Sequence, residues 1–72
     1  MLDQLHALIG KQVKVTTFYE ELGSYTGRLV KIWSVNEGDP IERQFIEVRL
    51  QSHPHAVTNH TRIEFVMDIK AI

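Results

Sequence analysis

Apolar side chains recur at every second position through three stretches of this chain: Val13 and Val15, then Ile46, Val48 and Leu50, then Ile63, Phe65 and Met67. A period of two sends alternate side chains to opposite faces of an extended backbone, so each stretch reads as a strand with one buried and one wet face. Glycine, proline and acidic residues punctuate these stretches. Gly10 precedes the first, Gly23 and Gly27 mark the entry to the next, and Asn36-Glu37-Gly38-Asp39-Pro40 is the clearest breaker in the chain. Such residues end strands and supply turn conformations, so the pattern predicts a small antiparallel β fold.

Ahead of the strands, Leu2, Leu5, Leu8 and Ile9 recur at three- and four-residue spacing with Gly10 as the stop, which predicts a short amphipathic helix acting as a lid. Lys11 to Thr17 is the first strand, and Glu20-Glu21-Leu22-Gly23 turns it around. The second, Tyr25 to Val35, is long, and Leu29, Val30, Ile32, Trp33 and Val35 do not hold one period along it. A bulge near Val30 and Lys31 reconciles them and lets one strand bend to serve two sheets, with Gly27 suited to the curvature. Residues 43 to 51 form the third strand, with Phe45 on its polar side. Ser52 to Asn59 reads as a loop, Thr61 to Met67 as the fourth strand, and Asp68 to Ile72 as a tight turn and a last short strand. Trp33 and Phe18 are expected to fill the core, because large aromatics dominate the buried area of a small domain. The expected whole is a short N-terminal helix followed by a five-stranded, strongly bent antiparallel small barrel, one domain over residues 1–72.

A domain of 72 residues has a thin stability margin, since folding at this size buries only about 60% of the unfolded chain's surface. Small domains compensate with disulfides, metals or oligomerisation, and a chain with no cysteine has neither disulfides nor thiolate zinc sites. Homo-oligomerisation is the favoured remedy. The absence of cysteine fits a reducing compartment, and no basic leader joined to a long apolar run is present, so the expectation is a cytoplasmic protein with no membrane segment.

Catalysis has no support in the residues. There is no cysteine nucleophile, no local Ser, His and acid motif and no Gly-rich loop opening a helix, so the expectation is a non-enzyme without a cofactor. His53, His55 and His60 are the one ligand-like cluster, but their spacing matches no zinc signature, and solvent-exposed loop histidines are the simpler reading. Nucleic-acid binding needs cations and aromatic platforms, and Lys14, Arg28, Lys31 and Arg49 supply the former, with Tyr19, Tyr25 and Phe45 for stacking. Against this, eight Lys and Arg are balanced by nine Asp and Glu, a net charge of −1, and cross-strand pairing of cations with glutamates explains interleaved charge equally well.

Leu8-Ile9-Gly10-Lys11-x-Val13-x-Val15, Gly23, Gly27-x-Leu29, Ile46-x-Val48-x-Leu50 and the closing Ile63 to Ile72 together resemble the Sm-like family, which includes the bacterial Sm-like RNA chaperone. The resemblance covers nearly the whole chain. It implies a ring of subunits in which the fourth strand of one pairs with the fifth of the next, and RNA as the partner. Independently of the resemblance, ring closure removes the exposed strand edges of a small barrel. Val66, out of phase with Ile63 and Phe65, is then expected at the subunit interface rather than in the core, together with Arg62, Glu64 and Lys70. Two alternatives stand beside this: a monomer whose edge is blunted by Arg62 and Glu64, and a protein-protein assembly module with no nucleic-acid partner.

Overall fold

The computed structural model describes residues 2–19, 23–50 and 57–72. The chain begins with one α-helical turn, α1 (Leu2–Leu5), and a 3-10 turn (His6–Leu8) rather than a continuous helix through Ile9. Strands β1 (Gln12–Thr17), β2 (Ser24–Trp33), β3 (Phe45–Leu50), β4 (Val57–Arg62) and β5 (Val66–Ala71) follow, with 3-10 turns at Ile41–Arg43 and Ile63–Phe65. They form one antiparallel five-stranded sheet in the order β4-β3-β2-β1-β5. The sheet is not closed into the expected barrel, because β4 and β5 are its two edges and do not pair. Yet only the turn Ile63–Phe65 separates the end of β4 from the start of β5. A connection that short reaches little more than about 14 Å, so the sheet curls until the start of β5 lies within that distance of the end of β4.

The curl originates in β2, whose ten residues serve two neighbours. Residues 24–28 pair with β1 and residues 28–33 with β3. Between the pairs Leu29↔Val48 and Lys31↔Glu47 the register slips, which leaves Val30 as a bulged residue, as the broken apolar period predicts. Gly27 sits where the bent strand closely approaches β3. A Cβ there would lie 2.5 Å from the Arg49 carbonyl oxygen and 2.8 Å from Val48 Cγ1, so the position excludes any side chain.

Inside the curl, Val13 and Val15 of β1, Leu29 of β2 and Ile46 and Val48 of β3 are fully buried, and Leu5 of α1 covers them. Ile63, Val66 and Ile69 complete the core. Transfer of such side chains from water contributes about 1.5–3 kcal/mol each.

Several expectations are corrected here. The alternation Ile63, Phe65, Met67 is not a strand: β4 ends at Arg62, and the next three residues form a 3-10 turn. That turn is pinned by the Ile63 N–H donating to the Gln44 carbonyl at 2.9 Å and by the Phe65 carbonyl accepting from the Phe18 N–H at 3.0 Å. Val57 to Asn59, expected in a loop, belong to β4, and Asp68, expected in a turn, lies within β5. Val66 is 5% exposed and packs in the core, not at a free interface. The reason is a register slip opposite Thr16 and Thr17, which turns Val66 inward and leaves Met67 exposed. Phe18 is 62% exposed, and Trp33 is half-buried outside the central cluster, so neither fills the core. Among the described residues no helix is long and apolar enough to cross a membrane.

Candidate nucleic-acid interface

With Val13, Val15, Leu29, Ile46 and Val48 turned inward, the residues between them turn outward. The pairing register arranges these outward side chains in rows that run across the strands. Lys70 of β5, Lys14 of β1 and Thr26 of β2 form one row. Gln12, Arg28, Arg49 and Thr58 form the next, across β1, β2, β3 and β4. Beyond the bulge come Lys31, Glu47 and His60, and then Trp33, Phe45 and Arg62.

Charge is segregated between this face and the rest of the molecule. Six of the eight Lys and Arg stand on it, against two of the seven carboxylates among the described residues, Glu47 and Asp68. Asp3, Glu37, Asp39, Glu42 and Glu64 fall in helical turns and the loop after β2, and Glu20 and Glu21 lie outside the described residues. The net charge of −1 therefore conceals a local excess of positive charge.

Cross-strand ion pairing explains only one row of it. Glu47 Oε1 lies 2.9 Å from His60 Nε2 and 3.9 Å from Lys31 Nζ, so one carboxylate oxygen serves both neighbours. Arg62 reaches Glu64 at 3.2 Å on its own side of the molecule. The other cations face like charge: Arg28 is the register partner of Arg49, and Lys14 that of Lys70. Like charges directly opposite each other destabilise a sheet, by up to about 1 kcal/mol per pair.

At one end of the face the aromatic side chains stack on each other. The rings of Trp33 and Phe45 are 4.8 Å apart and 18° from parallel, and His60 meets the Trp33 ring edge-on at 5.6 Å. Lys31 Nζ stands 5.9 Å from the Trp33 ring centre, and the Arg62 guanidinium 5.6 Å from that of Phe45. Phe45 thus lies between Trp33 and Arg62, which leaves less open ring than a stacking platform requires. Trp33 Nε1 is buried without a hydrogen-bond partner. A groove of about 430 Å³ adjoins this row, lined by Phe45 and Arg62 together with Asn36, Asp39, Arg43 and Glu64.

Of the residues expected to bind nucleic acid, Lys14, Arg28, Lys31, Arg49 and Phe45 share the outward face, and Tyr25 does not. Tyr25 is the partner of buried Val15, packs against the core and shares a 2.7 Å hydrogen bond between its hydroxyl and Thr61 Oγ1. Burial pushes its pKa up, and the Thr61 hydrogen bond opposes the shift. Tyr19 is away from the rows, edge-on to Phe65 at 4.9 Å. Arg62 and Lys70, expected at a subunit interface, stand on the outward face of the two edge strands, and Glu64 is in the turn between those strands. Trp33 and His60 join the face unforeseen. The bulge at Val30 resets the phase that places Trp33, and extension of β4 back to Val57 places His60 on a strand. His53 and His55 lie outside the described residues, among which no group of three or more His, Cys, Asp or Glu could hold a metal.

Compared with protein-family models, with curated proteins and with solved structures, the chain matches none.

Proposed function

We propose that this chain is a non-enzymatic RNA-binding module of Sm-like architecture that assembles into a homo-oligomeric ring and meets RNA with its outward sheet face. The observation that carries the reading is the pair of like-charged partners, Arg28 with Arg49 and Lys14 with Lys70. Folding gains nothing from placing these cations opposite one another. A polyanion laid across the face neutralises all four and releases its own counterions, and that release drives much of the association between proteins and nucleic acids.

Support for assembly comes from the sheet order. The two strands with unpaired edges, β4 and β5, are the two that an Sm-like ring joins between subunits. Pairing the β4 edge of one copy with the β5 edge of the next removes every open edge and repeats the basic face around the ring. Light scattering on the native protein tests this part, with a mass of five to seven subunits expected and a monomer at micromolar concentration excluding it. Fluorescence anisotropy with short RNA strands at low salt tests the partner.

A second reading, a protein-protein assembly module, is favoured by one observation. Phe18 and Met67 are exposed at the end where the Phe18 N–H meets the Phe65 carbonyl, with Tyr19 alongside. Exposed apolar side chains gathered at one end mark a protein contact more readily than a nucleic-acid one.

A further inference from the structure

We infer that the row Gln12, Arg28, Arg49 and Thr58 is a phosphodiester-binding site, so that the outward face grips its strand by the backbone and leaves the bases unread. This rests on the RNA-binding reading above and adds to it the part of the RNA that is held. The row crosses four strands, and each of its side chains carries a hydrogen-bond donor at its tip while none is a carboxylate. Two guanidiniums on directly opposed residues present planar forks that match the paired oxygens of a phosphate. The nearest carboxylate on the face, Glu47 in the next row, already has Lys31 and His60 on one oxygen. On the other side, Lys14 and Lys70 stand one row further along the strands, about 6.6–6.8 Å away by the two-residue strand repeat, where a second phosphate of the same chain meets them as point charges.

Among the described residues, base recognition lacks comparable machinery on this face. Sequence-tolerant stacking needs open aromatic rings. The rings present, Trp33, Phe45 and His60, pack on one another and are flanked by Lys31 and Arg62, and His60 is also held by Glu47. Tyr25 is turned into the core.

The test is fluorescence anisotropy on the full chain at low salt with three labelled probes of equal length: oligouridine, oligoadenine and an abasic phosphodiester strand. Inorganic polyphosphate serves as a competitor to separate a phosphodiester strand from phosphate charge alone. All three strands are expected to bind within about threefold of one another, and Arg28→Lys and Arg49→Lys, which keep the charge and lose the fork, to weaken each by about tenfold. Polyphosphate of equal charge is expected to compete less well than the abasic strand. Thr58→Val, an exposed change that leaves the sheet intact, provides a second variant and is expected to weaken all three strands alike. Tight binding of both RNAs with abasic binding more than tenfold weaker overturns the backbone-only site while leaving RNA binding in place. Unchanged binding by both Arg→Lys variants overturns the assignment to this row, and equal competition by polyphosphate overturns the preference for a phosphodiester. If no strand binds at low salt, this inference and the RNA reading fall together.

Discussion

Tyr25 shows how one side chain can be legible in type and illegible in role. Its aromatic ring and strand position suggest a stacking platform, but Val15 opposite it is buried, and that pairing turns Tyr25 inward to Thr61. Burial raises the phenol's pKa in the folded protein above its unfolded value, so the folded state holds the proton more tightly. Stability from this source is complete below the unfolded value of about 10 and falls as pH rises through the folded one. Tyr25→Phe is expected to flatten that alkaline decline in thermal melts recorded against pH, and an unchanged decline would show that another group causes it. At Gly27, the close approach of the Arg49 carbonyl predicts that Gly27→Ala destabilises by about 1–3 kcal/mol in denaturant titration. At Gly10, where φ is +90° and the space is open, Ala costs only the left-handed backbone, about 1–2 kcal/mol.

Among the elements, β1 and β3 were legible because each keeps a strict period of two against a single buried face. The bulge in β2 was legible too, since Leu29, Val30 and Ile32 cannot share a face without one. The end of the chain was not, for Ile63, Phe65 and Met67 imitate a strand while two of them belong to a 3-10 turn. Local periodicity carries no information about the hydrogen bonds that fix that turn, which come from Gln44 and Phe18 far away in sequence. The candidate face was half legible for the same reason: the four expected cations do point outward, but that they oppose like charge is a matter of register. Val66 makes a test at this scale. Buried in the core, Val66→Lys is expected to unfold the domain, costing several kcal/mol, whereas exposed Met67→Lys stays within about 0.5 kcal/mol. Circular dichroism melts decide it, and a folded Val66→Lys protein would mean that β5 is registered differently.

For the whole molecule, the feature that unites fold and proposed function is the separation of charge, with six cations against two carboxylates on the outward strand face and the other described carboxylates in turns and the loop after β2. Such an arrangement opposes stability and binding at the same residues. Arg49→Glu relieves the repulsion with Arg28 and is expected to raise the melting temperature by a few degrees, roughly 4–8 °C per kcal/mol at this size, while abolishing RNA binding. A variant that binds as before would separate the face from the function. The most direct measurement is the salt dependence of RNA affinity for the intact protein, by anisotropy across a range of monovalent salt. For the four cations of the two like-charged rows the account predicts that log K falls against log salt with a slope of about −3, and that Arg28→Gln makes it shallower by about 0.7. Affinity independent of salt, or no binding at low salt, would contradict it.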